Sequence, residues 1–487
     1  MGSERQHDAA DQPGTDTGTS VSRREFLKIA GVAGAALGVG AGLGGLVTAC
    51  GGEATTTTAA PSTTAAPSTT AGPATTAGAT TTVTTAAEMG AEIKIGFVTP
   101  QTGVLSAFST TDNYLIERFN ENAGEQVLGD NKNHVITVVA VDSQSDSNRA
   151  AQVAGDLILN DNVQIVVTAG SPDSVNPVAG QAEANSTPCF ATDAPWQTFL
   201  GAKPEAGYKW SWMFTFGLED VMGNYTTVWN DLPTNKKIAA MWPNDADGNV
   251  FAQVVPPIME GAGLTVVDGG RWQDGSEDFT QQISLFKKEG CELMEGVFVT
   301  ADFTNFWKQC HQQGWVPKIA CVDKGLLYPE AIEAVGAPLG YNLVSTLFWA
   351  PTWPYKSYVT GETDQQFGDE FTKRTGKQWS SALLHGAIFE MALWTLRNAE
   401  DPTSRESINA AAPKMKFEGQ CGTVDFTGQV EEAKPGPRKI DEHVYKSPTM
   451  AGQWIEGTHG HPFDYVSVSN VAAPNIPVDA KLLPVQA

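Results

Sequence analysis

The chain of 487 residues carries 31 lysines and arginines against 55 aspartates and glutamates, a formal net charge of −24. After Lys28 its basic residues come no denser than pairs such as Lys236-Lys237 and Lys287-Lys288, which excludes the clustered positive surface that nucleic acid requires. Without the first 90 residues about 400 remain, more than one core usually takes, so two domains or lobes are expected.

The N-terminus comes first. Residues 22–28 read SRREFLK, and an apolar run rich in Gly, Ala and Val extends from Ile29 to Val47. Within that run Gly40, Gly42 and Gly45 have the spacing of a dinucleotide-binding loop. They lack the preceding strand, the following helix and the acidic residue about 20 positions on. The run is weakly apolar for membrane insertion and is better suited to an export signal. The segment resembles a twin-arginine signal, in which Arg23 and Arg24 are read by the export machinery. Val47-Thr48-Ala49-Cys50 resembles a bacterial lipobox, which implies cleavage before Cys50 and lipid on its thiol. An uncleaved transmembrane anchor is the alternative. Either way the remaining chain lies outside the cytoplasmic membrane. Residues 51–90 are mostly Thr, Ala and Pro, with too little apolar surface to offset the entropy of ordering, so they are expected to form a disordered spacer.

From Ile93 onward, strand and helix patterns alternate. Apolar or β-branched runs at 93–100, 135–142, 163–170 and 187–192 predict strands. Amphipathic stretches at 112–124 and 148–161 predict helices between the first three. Asn176-Pro177 is expected to open the next helix. The scheme repeats with strands at 237–243, 264–270, 294–300 and 318–323 and helices around 249–262, 278–289 and 303–313. Continuous apolar strands between amphipathic helices imply parallel sheets covered on both faces. The expected fold is therefore α/β, with two doubly wound parallel-sheet lobes. Residues 364–417 are largely helical and bring no strand series of their own. They must pack onto a lobe already begun, so the chain crosses between lobes more than once, near 214–218, 347–353 and 435–442.

Of six cysteines, Cys189, Cys291, Cys310, Cys321 and Cys421 remain if Cys50 is lipidated. At most two disulfides can form. One among Cys291, Cys310 and Cys321 is expected, with buried free thiols as the alternative. No Cys-x-x-Cys pair suggests zinc. His459-Gly460-His461 with Glu456 is better explained as a solvated turn than as a metal site, so neither metal nor cofactor is expected.

The stretches IGFVTPQTGVLSAF, VVTAGSPDSVNPVAGQAEANSTPCFATDAPW and DFTQQISLFKKEGCELMEGVFV, in this order on an exported chain, resemble the type I solute-binding proteins of ABC transporters. The resemblance is closest to the branched-chain amino acid binding family and covers roughly 92–470. It implies a clamshell with a hinge, lobe 1 from 91–216 and 350–437, lobe 2 from 217–349 and 438–475, and a tail at 476–487. It also implies a monomer that closes on a small molecule and delivers it to an ABC permease in the membrane. In such a family the ligand loops follow the strands, as general for open α/β sheets. Carried over, they put Phe108, Ser171, Asp173, Ser174, Thr192, Asp193 and Trp196 at the first lobe's edge. Asp247, Asp302, Lys324 and Trp349 face them from the second. The turn before Asn176 would offer backbone N–H groups to a ligand carboxylate. Amino-acid binders of the family hold the ligand ammonium with a second-lobe carboxylate where this chain has Lys324, with Asp323 adjacent. An anionic or amide-like ligand thus competes with an amino acid. Lys324 is expected to meet either a ligand anion or a nearby carboxylate when the lobes shut. Two other readings are a ligand-sensing module and an extracellular enzyme. The sequence holds no G-x-S-x-G and no H-E-x-x-H to support the second.

Overall fold

The computed structural model describes residues 87–430 and 438–486. Arg23, Arg24, Cys50 and nearly all of the 51–90 spacer lie outside them.

The first strands are β1 (Ile93–Thr99), β2 (Glu125–Val127), β3 (Asn133–Asp142), β4 (Ile165–Thr168), β5 (Cys189–Ala191) and β6 (Ser211–Thr215). The next five are β7 (Lys237–Met241), β8 (Thr265–Asp268), β9 (Leu293–Val297), β10 (Ile319–Asp323) and β11 (Leu343–Leu347). A hairpin follows, β12 (Lys416–Gly419) with β13 (Gly422–Asp425). The last four are β14 (Lys439–Asp441), β15 (Val444–Lys446), β16 (Met450–Glu456) and β17 (Phe463–Ser469). Two large sheets result, ordered β14-β15-β6-β5-β4-β1-β3-β2 and β17-β16-β11-β10-β9-β7-β8. Their central pairs are parallel, β1 with β3 and β4, and β10 with β9.

Local sequence explains the layers. Six of the seven β1 residues are buried, as a strand covered on both faces must be. One cover is the helix Ser147–Leu159, capped by Asp146, which accepts from the Arg149 N–H at 2.7 Å. It lies so close that a Cβ on Gly96 would stand 2.9 Å from Leu157. The other cover is the helix Gly386–Asn398, whose Phe389 meets Phe97 edge-on with ring centroids 5.3 Å apart. The helical section after β11 thus completes the first lobe.

The chain passes between the sheets three times. After β6 it runs through Phe216 and Gly217 into the helix Leu218–Asp231, which packs on β16 and β17. After β11 it passes Phe348, which stacks on Phe216 at 4.5 Å. The third passage falls at Ser447–Thr449, between β15 and β16, rather than at 435–442. Residues 439–446, expected in lobe 2, therefore extend the first sheet: β15 runs parallel to β6, and Met213 donates to the His443 carbonyl at 2.8 Å. Two three-residue strands are too short for alternation to reveal which sheet they join. Residues 476–486 are no free tail. Ile476 is buried, Val485 N–H donates to the Lys318 carbonyl, and Gln453 and Asn342 donate to Leu483 and Pro484 carbonyls.

The expected disulfide among Cys291, Cys310 and Cys321 does not form. All five cysteines of the described residues are buried free thiols. Each serves as a small apolar core residue.

Candidate functional site

The carboxyl ends of the two sheets face one another across a narrow cleft. Its walls are mostly apolar: Phe108, Pro172, Pro195, Phe216, Val221, Phe251, Val297, Leu327 and Phe348. Its polar lining is Ser171, Asp193, Asp247, Asp323 and Lys324. An apolar pocket with a few fixed polar groups is what a small-molecule site requires.

Strand ends position each polar group. Ser171 follows β4 and stands at the N-cap of the helix Pro172–Ala184. That helix begins four residues before the expected Asn176-Pro177 start, and Pro177 lies inside it. Asp193 follows β5 in a left-handed backbone conformation, φ 65°. On the other side Asp245 caps the helix Ala246–Gly261 by accepting from Gly248 N–H at 2.7 Å, which sets Asp247 in its first turn. Asp323 ends β10, and Lys324 follows with φ 63°.

Two buried ionic clusters result. Lys324 Nζ lies 2.6 Å from Asp245, 3.3 Å from Asp247 and 3.9 Å from Asp173 of the opposite lobe. Burial opposes its charge, but the three carboxylates outweigh burial and hold its pKa above the ordinary lysine value. Burial likewise pushes Asp247 up to about 7 in spite of Lys324. In the first lobe His385 is fully buried between Asp112 (Nδ1 at 2.9 Å) and Asp193 (Nε2 at 3.1 Å). Burial opposes the imidazolium, yet the two carboxylates raise it to about 9. Asp193 also accepts from the Tyr328 hydroxyl at 2.9 Å, a hydrogen bond between lobes, and Tyr328 meets Phe108 edge-on at 5.1 Å. Asp323 accepts from the Tyr225 hydroxyl at 2.8 Å and from the Thr346 hydroxyl, and burial lifts it to about 6.

The expected residues therefore divide. Phe108, Ser171, Asp193, Asp247 and Lys324 meet at the cleft, with Asp173 beside them through Lys324. Ser174 is buried within the helix Pro172–Ala184, and its N–H bonds to the Ser171 carbonyl. Thr192 donates to the Phe214 carbonyl at 2.6 Å, tying β5 to β6. Trp196 donates to Glu219 at 2.9 Å beside the first passage, where Lys446 bridges Glu219 and Asp220. Asp302 accepts from Gly275 N–H at 3.0 and 3.1 Å and fixes that loop. Trp349 is buried and donates to Asp364 at 3.2 Å. None of these five lines the cleft. Asp245 and Asp323 lie in second-lobe loops expected to follow strands, at 244–248 and 323–325, though neither was singled out; Tyr328 and His385, which hold Asp193 from behind, were not expected. Asp323 was within reach, as the residue ending a predicted strand. His385 was not, since its partners lie 273 and 192 positions away. His459 sits in an exposed turn against Asp464, and no group that could hold a metal occurs among the described residues.

A family model described as "Periplasmic binding protein" matches residues 92–434, and one for the twin-arginine translocation signal sequence matches residues 20–40. No curated protein matches the chain in sequence. Solved structures are similar in fold. A leucine binding protein, LivK, from Thermotoga maritima is 18% identical with a TM-score of 0.62, covering 78% of this chain and 99% of that one. The substrate binding protein LivJ of Streptococcus pneumoniae, in complex with isoleucine, is 16% identical with a TM-score of 0.60, covering 81% and 99%. A solute binding protein of an ABC transporter from Rhodopseudomonas palustris, in complex with 3,4-dihydroxybenzoic acid, is 16% identical with a TM-score of 0.59, covering 79% and 99%.

Proposed function

Since this chain belongs to the periplasmic binding protein family, we propose that it captures a small organic molecule between its two lobes and delivers it to an ABC permease. The observation that carries this reading is the cleft itself. Both sheets contribute their carboxyl ends to it, its walls are phenylalanines and aliphatic side chains, and its few polar groups are held from behind by Tyr225, Tyr328, Thr346 and His385. Closure follows from contacts that exist only when the lobes meet, such as Tyr328 to Asp193 and Lys324 to Asp173. A solute that touches both walls favours the closed form by its differential contacts. Phe108, Ser171, Asp193, Asp247 and Asp323 are the proposed contacts.

The twin-arginine match supports an extracytoplasmic location. In our reading the chain leaves the cell through Arg23 and Arg24, is lipidated at Cys50, and stands off the membrane on its Thr/Ala/Pro-rich spacer. The similar structures bind isoleucine in one case and 3,4-dihydroxybenzoic acid in another. The ligand of this chain must be argued from its own cleft.

The test is native mass spectrometry of protein purified from its own host, then small-angle scattering before and after the bound molecule is dialysed away. A mass adduct and a radius of gyration that grows on its removal are expected. A bare mass, with scattering unchanged by dialysis, would count against capture.

A further inference from the structure

The cleft is rich in carboxylates. Asp112, Asp173, Asp193, Asp245, Asp247 and Asp323 stand in it or directly behind its wall. Among the described residues, the cations within salt-bridge distance of these six are Lys324 and His385, and both are already enclosed. Lys324 is shared by Asp245, Asp247 and Asp173; His385 is held between Asp112 and Asp193. An anionic solute would have to compete for Lys324 with Asp245 and Asp247, or for His385 with Asp112 and Asp193, and stranding any of these little-exposed carboxylates is costly. The helix Pro172–Ala184 is no substitute. A helix start can hold an anion through its free N–H groups, but Pro172 has none, the Ser174 and Val175 N–H groups already donate to the Ser171 carbonyl, and Asp173 sets a carboxylate in that first turn.

Two acceptors, by contrast, lack donors. Asp193 Oδ1 and Asp323 Oδ2 are buried without a hydrogen-bond partner. The residues are 4% and 7% exposed and line the cleft from opposite lobes. Their other oxygens are anchored: Asp193 Oδ2 by Tyr328 and His385, Asp323 Oδ1 by Tyr225 and Thr346. Each carboxylate is thus fixed by one oxygen and unpaired at the other, and a buried acceptor in that state calls for a donor. The remaining wall includes Phe108, Phe216, Phe251 and Phe348, and aromatic faces attract cations.

Building on the capture reading, we propose that the solute is an organic ammonium ion without a carboxylate. Its N–H groups bridge Asp193 and Asp323 across the lobes, and its apolar body lies against the phenylalanines. A zwitterionic amino acid meets the same two acceptors, but its carboxylate then competes for Lys324 or His385 with the aspartates already paired to them.

Four probes of one shape and different charge test this on the full-length protein, by calorimetry at neutral pH: 2-phenylethylamine, phenylalanine, phenylacetate and 2-phenylethanol. The amine should bind tightest. Asp323→Asn should weaken the amine about thirtyfold or more, the range for truncating one member of a buried charged pair, and weaken the uncharged alcohol far less. Asp193→Asn gives the same comparison should the first variant fold poorly. Tighter binding of phenylacetate or phenylalanine than of the amine, or equal amine affinity in both variants and wild type, would overturn the charge assignment while leaving capture intact. Silence from all four probes overturns it as well. Capture itself then stands or falls separately on the native mass spectrum.

Discussion

Lys324→Met is the most informative perturbation of the cleft. Methionine keeps a long apolar stem and leaves the cost of the left-handed φ of 63° unchanged, so only the ammonium is lost. The ammonium lies 2.6 Å from Asp245 and 3.3 Å from Asp247, both little exposed. Removing one partner of a buried pair leaves uncompensated charge and costs about 3–5 kcal/mol. That is a large share of the roughly 5–15 kcal/mol by which such domains are stable. The loss must depend on pH. Asp247 already sits near 7 with Lys324 present, and without it the carboxyl moves higher still. It can then escape the penalty by taking up a proton, so the variant's deficit should shrink as pH falls. Urea unfolding of wild type and variant near pH 8.5 and near pH 5.5 measures this through the midpoint and slope. Adding Asp247→Asn to Lys324→Met should restore part of the loss at the higher pH, because one of the stranded charges is gone. A deficit below about 1 kcal/mol, or one equal at both pH values, would refute the reasoning and make the Lys324 cluster an ordinary surface pair.

Three further outcomes are expected. The wild type should be most stable on the acid side of neutrality. Asp323 near 6, Asp247 near 7, and Asp364 and Glu390 near 8 all lie above their unfolded values, so the folded state holds more protons and stability falls as pH rises through them. His385 acts in the same sense, its contribution present below the unfolded value and lost as pH rises through about 9; a melting temperature that climbs steadily from about pH 5 to 9 would contradict both. The five buried thiols should be silent to a thiol reagent until the protein unfolds, and a reductant should leave the melting temperature unchanged; a clear drop would mean a disulfide exists. Cys50→Ala should make the protein washable from membranes without detergent, and changing Arg23 and Arg24 together to lysine should retain it in the cytoplasm; fractionation identical to wild type would remove the lipid or the export assignment respectively.

What sequence alone determined was local. A run such as Ile93–Thr99 is mostly apolar and has no helical period, so it reads as an interior strand, and the amphipathic stretch at 148–161 reads as the helix that covers it. Every such signal is carried by residues a few positions apart, so the alternation of strands and helices, the α/β class and the strand-end position of Ser171, Asp193 and Asp247 were legible. The three-residue strands β14 and β15 left no such trace, and their sheet was decided by β6, more than 200 positions earlier, against which β15 pairs. The chemistry of the site was decided the same way. In sequence Lys324 could meet either a ligand anion or a nearby carboxylate; in the fold Asp245, Asp247 and, from the opposite lobe, Asp173 converge on it and claim its charge. His385 sits in an apolar helical stretch with no nearby partner, and only closure of the first lobe brings Asp112 and Asp193 to its two nitrogens. Pairing of buried charges depends on distances of a few ångströms between residues far apart in the chain. Those distances exist only once both sheets have formed and the chain has crossed between them.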